Sequence, residues 1–145
     1  MTKPIVAILM GGPDSEREVS IRSGHAIVNA LSLSTMFEVL PLVIDETSTE
    51  SLRSLNADVF FPVLHGPYGE GGPLQECLED SGIPFVGSAS KPARIAMDKH
   101  SSKKLAEEHG VPTPKWKCIS SASELTLELP FVLKPVDEGS SVCRF

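Results

Sequence analysis

Residues Pro4–Met10 (PIVAILM) are apolar at every position, in a short run rich in β-branched side chains. The pattern predicts a strand covered on both faces, as in a parallel sheet. Gly11 and Gly12 end it. The polar stretch that follows, Ser15-Glu16-Arg17-Glu18, matches a capping box, with Ser15 as N-cap and Glu18 at the third helical position. A helix from about Glu16 to Leu31 is expected next, with Val19, Ala26, Ile27, Ala30 and Leu31 as core candidates. Phe37–Ile44 (FEVLPLVI) reads as a second strand and Thr49–Leu55 as a short helix. Asp58–Leu64 (DVFFPVL) reads as a third strand, ending at His65-Gly66. Pro73 suits the first turn of a helix running to about Ser81, with Gly82 past its end, and Ile83–Val86 is a short fourth strand. This alternation predicts an α/β fold, an open parallel sheet with helices on both faces. In such sheets ligands lie outside the carboxyl ends of the strands. Those ends are Gly11–Ser15, Asp45 onward, His65–Gly72 and Gly87–Ser88.

The pattern changes after Ser88. Ser90 and Pro92 start a short helix, and Asp98 caps a second one that runs to His109 and stops at Gly110. Val111–Pro114 is extended; Lys115–Ile119 reads as a strand, Ser121–Leu127 as a helix and Pro130–Lys134 as another strand. A domain boundary is expected between about residues 88 and 98. Residues 1–90 suffice for a layered sheet. Residues 98–145 number fewer than 50, a size at which a core is marginal, and their last strand would carry an unpaired edge. A stable front and a less well packed tail are therefore expected.

Composition narrows the class. The chain has 145 residues, 41% hydrophobic and 22% charged, with a formal net charge of −6. A domain of this size buries roughly 70% of its unfolded surface, so a core is within reach. No basic stripe is present, which argues against a nucleic-acid partner. Cys77, Cys118 and Cys143 are widely spaced and form no C-x-x-C pair, so neither a disulfide framework nor a zinc site is suggested. That usage fits a reducing cytoplasm. The six-residue run before Gly11 is too short for a signal-peptide core or a membrane span.

Four stretches carry candidate chemistry. GGPDSEREVS (11–20) opens a helix after strand one, where a phosphate is often held, but it lacks the G-x-G-x-x-G and G-K-[ST] spacings. Its acids Asp14, Glu16 and Glu18 suit an amine better than a phosphate, and acids in a first turn also simply complement the helix dipole. Glu18 already has the capping role, which leaves Glu16 as the candidate. HGPYGEGG (65–72) offers His65, Tyr68 and Glu70 on a glycine-rich backbone that permits close approach to a ligand; a tight solvent loop accounts for the same residues. MDKHSSKK (97–104) puts Lys99 and His100 in a first helical turn, where cations are disfavoured unless an anion compensates; a solvated lysine-rich face is the alternative. In FVLKPVDEGSS (131–141), alternation puts Val132 and Lys134 on one strand face and Phe131 and Leu133 on the other. A lysine followed by a Gly-Ser-Ser turn combines an ammonium with N–H and O–H donors, a combination that holds a triphosphate.

Taken together, GGPDSEREVSIRSG, HGPYGEGGPLQECLEDSGIPFVGS, MDK and LPFVLKPVDEGSSV resemble the D-alanine–D-alanine ligases of the ATP-grasp superfamily, in the family's order and at about its spacing. The resemblance covers essentially all 145 residues but only the front half of such an enzyme. It implies a whole N-terminal domain (residues 1–90) and an incomplete α+β ATP-grasp subdomain (98–145). It further implies a cytoplasmic activity that joins two D-alanines with ATP and magnesium, through an acyl phosphate, for peptidoglycan. By the same resemblance, Glu16 holds the first D-alanine's ammonium, Ser140 is hydrogen-bonded to that glutamate, and His65 stands near the first substrate. Lys99 and Lys134 resemble the lysines that contact ATP phosphates, and Glu138, Gly139, Ser140 and Ser141 resemble the phosphate loop. A homodimer through the N-terminal domain is implied as well.

Two positions depart from the family pattern: Gly71, where an aspartate is usual, and Cys143, where a glycine is usual. The magnesium ligands and the adenine-binding segment are expected beyond Phe145. The chain alone is therefore expected to be inactive; a non-catalytic binding or dimerisation module is the alternative.

Overall fold

The computed structural model describes residues 2–137. Its first compact unit runs to Arg94 and its second begins at Ile95. In the first, β1 (Ile5–Gly11), β2 (Glu38–Ile44) and β3 (Val59–Pro62) form a parallel sheet in the order β2-β1-β3. Ile5 stands opposite Glu38 and Val6 opposite Val59. The continuously apolar strand is the central one, and Ala7, Ile8, Leu9 and Met10 are all fully buried. Pro41 lies within β2, which is tolerable because β2 is an edge strand with one side free of ladder bonds. The expected fourth strand shrinks to one parallel bridge between Phe60 and Phe85.

The helices are α1 (Arg17–Leu31), α2 (Thr49–Ser54), α3 (Gly66–Glu70) and α4 (Pro73–Ser81). With β2 and β3 on opposite sides of β1, two right-handed crossovers send α1 and α2 to opposite faces. Side-chain packing agrees. Ala7 and Leu9 share a cluster with Leu52 of α2 and Leu74 and Leu78 of α4. Met10, of the other parity, lies under Gly24 of α1. Gln75, buried in α4, joins α4 to α3: its amide oxygen accepts from Gly72 N–H at 3.1 Å, and its Nε2 donates to the Gly69 carbonyl at 2.7 Å. Gly82 ends α4 with φ 76°, as expected.

Two expectations for α1 need correction. No capping box forms. The helix starts from a backbone turn in which Arg17 N–H donates to the Asp14 carbonyl, Glu16 takes the N-cap position and makes no side-chain cap bond, and Ser15 is exposed. The core-facing residues also differ. Val19, Ala26 and Ala30 are exposed and Ile27 and Leu31 only half-buried, while Ser20 and Gly24 are buried. The reason is close approach. A Cβ on Gly24 would stand 2.7 Å from the Met10 Cβ, so only small residues fit where the helix crosses β1. The HGPYGEGG stretch also differs from the loop expected, because Gly66–Glu70 forms a short helix.

In the second unit, α5 (Ser90–Met97) ends and α6 (Lys99–Glu108) follows, with the Asp98 carboxylate accepting from Ser101 N–H as N-cap. That bond, with the neighbouring Ser101 hydroxyl, holds the Asp98 carboxyl below its usual range. The strands expected at Lys115–Ile119 and Pro130–Lys134 are not formed, and the expected helix 121–127 is a single 3₁₀ turn, Ala122–Glu124. A strand persists only where a second backbone supplies ladder bonds. Among the described residues neither segment has such a partner, and Val132 and Leu133 are largely exposed.

Replacing Ser20 with alanine should cost about 1–3 kcal/mol in urea unfolding, because its hydroxyl serves two groups in the interior, Gly11 N–H and the Val63 carbonyl. Among the described residues, the buried apolar ones all lie between Ala7 and Ala93. Amide exchange should accordingly be slower in β1 and α4 than anywhere in residues 95–137; equal protection would contradict this account.

Candidate functional site

The carboxyl ends of the three strands are joined by polar bonds. Gly12 N–H donates to the Ile44 carbonyl at 2.8 Å, which ties the β1 turn to the end of β2. Ser20 Oγ accepts from Gly11 N–H at 2.9 Å and donates to the Val63 carbonyl at 2.7 Å, which ties the end of β1 to that of β3. Tyr68 of α3 completes the set. Its N–H donates to Asp14 Oδ2 at 2.8 Å, and its hydroxyl oxygen accepts from Thr47 N–H at 2.9 Å. Burial pushes the Tyr68 hydroxyl above its ordinary value, and the Thr47 bond offsets this only in part. The tyrosine therefore stays neutral and bonded across the physiological range.

Glu16 and His65 both stand on this joined end. Glu16 is half-buried at the start of α1 and His65 is half-buried at the start of α3. The Glu70 carboxylate reaches back over α3: Oε2 accepts from Gly66 N–H at 3.0 Å, and Oε1 lies 3.4 Å from His65 Nδ1. A carboxylate only accepts, so the ring proton is directed to Nδ1 and Nε2 is left as an acceptor in the neutral ring. That Nε2 is buried and has no hydrogen-bond partner among the described residues. A buried polar atom of this kind calls for a ligand or water.

The second unit brings Lys99 and Lys134 to one cavity of about 180 Å³, whose lining also includes His100, Lys103, Trp116 and Lys117. Lys99 opens α6, and its N–H donates to the Val136 carbonyl at 2.8 Å. The His100 ring meets Trp116 edge-on with centroids 5.1 Å apart. Four lysines line this one small space, a composition that suits a polyanion. Glu138, Gly139, Ser140 and Ser141 lie outside the described residues, as does Cys143.

Comparison with known proteins bears on the same segments. The family described as "D-ala D-ala ligase N-terminus" matches residues 45–88. A D-alanine–D-alanine ligase from Carboxydothermus hydrogenoformans is 38% identical over 94% of this chain and 47% of its own length. The crystal structure of a D-alanine–D-alanine ligase from Bacillus anthracis superposes with a TM-score of 0.77, at 35% identity, over 96% of this chain and 47% of that one. Over nearly its whole length the chain is similar to the N-terminal part of D-alanine–D-alanine ligases. The ligase from Bacillus anthracis has also been solved complexed with ATP, and that structure matches with a TM-score of 0.71 and 34% identity over 81% of this chain and 38% of its own. The chain thus spans less than half the length of these relatives.

Some groups of this candidate site escape a reading of the sequence. Asp14 looks there like one more ligand carboxylate, yet it accepts from Tyr68 N–H, a residue 54 positions away. Ser20 and Arg17 resemble ordinary helix residues. Only the glycine-rich character of HGPYGEGG signalled that backbone here meets another group closely. Gly66, at φ 83°, does so: a Cβ there would stand 2.8 Å from the Asp14 carboxylate.

By ¹⁵N NMR, neutral His65 should carry its proton on Nδ1, and Glu70→Ala should move it toward the Nε2–H form. An Nε2–H ring in the wild-type chain would refute the role given to Glu70.

Proposed function

We propose that the chain is the substrate-side part of a cytoplasmic enzyme that uses ATP to join two D-alanines through an acyl phosphate, for peptidoglycan synthesis. The observation that carries this reading is the joined end of the sheet, where Glu16 and His65 stand on turns that hydrogen bonds hold together. In this reading the Glu16 carboxylate meets the ammonium of the first D-alanine, and His65 Nε2 takes a proton-bearing group of the bound substrate. Lys99 and Lys134 neutralise the ATP phosphates, since phosphoryl transfer depends chiefly on positioning and charge compensation. The lysine-lined cavity supports that assignment. The loop Glu138, Gly139, Ser140 and Ser141 belongs, in the same reading, to a phosphate site of the ATP-grasp type.

Magnesium accompanies ATP in this scheme. Its ligands are placed by this proposal in other parts of the enzyme. No helix among the described residues is long and apolar enough to cross a membrane. A homodimer through the first unit belongs to the same reading, and the exposed apolar side chains Val19, Leu33 and Met36 support it.

Two measurements test the proposal. D-Alanine, and not L-alanine, should shift the amide signals of Glu16 and His65 in the 145-residue chain, and Glu16→Ala should weaken that binding at least about tenfold. Equal response to both enantiomers would sink it. Supplied with D-alanine, ATP and magnesium, these residues alone should release ADP no faster than a blank, since they span less than half the length of the ligases they match. Turnover at an ordinary enzyme's rate of about 10 s⁻¹ would show this segment to be self-sufficient.

A further inference from the structure

Glu16 stands between two residues, Asp14 ahead of α1 and Arg17 at its start, whose side chains bond to different loops. On one side, Asp14 Oδ2 accepts from Tyr68 N–H at 2.8 Å, inside the short helix that begins beside His65. Gly66 makes room for that carboxylate, as a Cβ there would stand 2.8 Å from Asp14 Oδ2. On the other side, Arg17 Nη1 donates to the Gly12 carbonyl at 2.9 Å and to the Ile44 carbonyl at 3.2 Å, and it pairs with Asp45. Asp45 is 78% exposed, so the ion pair itself contributes little; the two carbonyl bonds connect the β1 turn to the end of β2. Glu16 makes no side-chain cap bond of its own and sits at φ −90°, ψ 12°, in the sparsely populated bridge region where active-site residues are often found. Its carbonyl accepts from Ser20 N–H at 3.0 Å, which ties its backbone to the helix, while the bonds of its neighbours tie that backbone to the flanking loops.

We propose that Asp14 and Arg17 are positioning residues, which set Glu16 in register with His65 and with the β2–α2 turn before a substrate arrives. The proposal rests on the reading of Glu16 as the ammonium partner of D-alanine. Neither residue touches the substrate. Their effect is preorganisation: with both clamps closed, the acid and the imidazole meet the ligand without first ordering two loops. Both side chains lie at the rim and outside the apolar cluster beneath the sheet, so the fold does not depend on them.

The experiment titrates D-alanine into the 145-residue chain and into Asp14→Ala, Asp14→Asn and Arg17→Met, with a melting curve for each. Asp14→Ala removes the acceptor, Asp14→Asn keeps a carbonyl oxygen for Tyr68 N–H, and Arg17→Met keeps the stem without donors. D14A and R17M should each weaken binding about tenfold, the scale of one charge-assisted hydrogen bond. D14N should stay within about threefold, and melting temperatures should fall by less than about 5 °C. Wild-type affinity in D14A or R17M would overturn the proposal. So would a loss in D14N equal to that in D14A, or melting shifts large enough for unfolding to explain the weakening. If the unaltered chain does not bind D-alanine, the reading of Glu16 fails instead. Amide ¹⁵N relaxation then decides the clamp: added mobility at Ser15–Arg17 and Gly66–Tyr68 in D14A upholds it, and unchanged order overturns it.

Discussion

One hydroxyl group, that of Ser20, meets both β1 and the residue that follows β3 beneath the first helix. It accepts from Gly11 N–H and donates to the Val63 carbonyl, so a single side chain on α1 fixes the helix against two strand ends at once. The geometry depends on contact distance. Gly24, one turn further on, lets the helix lie against Met10, and a methyl group there would fall 2.7 Å from the Met10 Cβ. Small residues at these two positions decide where α1 sits. The location of α1 then decides where Glu16, at its first turn, stands relative to the loops after β2 and β3.

From that constraint the rest of the candidate site follows. Gly12, Asp14 and Arg17 all bond away from their own turn, to Ile44, Tyr68 and the Ile44–Asp45 end of β2. Tyr68 in turn reaches Thr47. Each bond is worth only about 1 kcal/mol net, but together they leave the loops few independent motions. Such a rim suits the binding of a small zwitterion, whose affinity would otherwise be spent on ordering the loops around it.

The second unit shows the converse. Helix α6 forms because its own sequence satisfies its end, with Asp98 accepting from Ser101 N–H. Lys115–Ile119 and Pro130–Lys134 have strand-like patterns, yet neither is in a ladder among the described residues. Helices close their hydrogen bonds within one segment, whereas strands need another backbone, so this unit forms its helices where its strand-like segments stay unpaired among the described residues.

Much was legible in the residues alone. The apolar run at Pro4–Met10 announced a central parallel strand, Pro73 and Gly82 marked both ends of α4, Asp98 marked the start of α6, and the four ordered motifs pointed to the ligase family. These are local or pattern-level features, in which a side chain's own backbone preference or its spacing carries the information. The sequence did not disclose that Ser20 and Gly24, rather than Val19 and Ala26, face the sheet. Nor did it show that HGPYGE coils into a helix, or that Asp14 serves Tyr68 instead of a ligand. Hydrophobic periodicity ranks side chains by apolarity, but a helix crossing a strand at close range selects by size. A carboxylate's partner 54 residues away is chosen by the folded backbone that brings its N–H within 2.8 Å. The strands, the helix limits and the family were written in the sequence; the partners of its polar groups existed only once the chain had closed on itself.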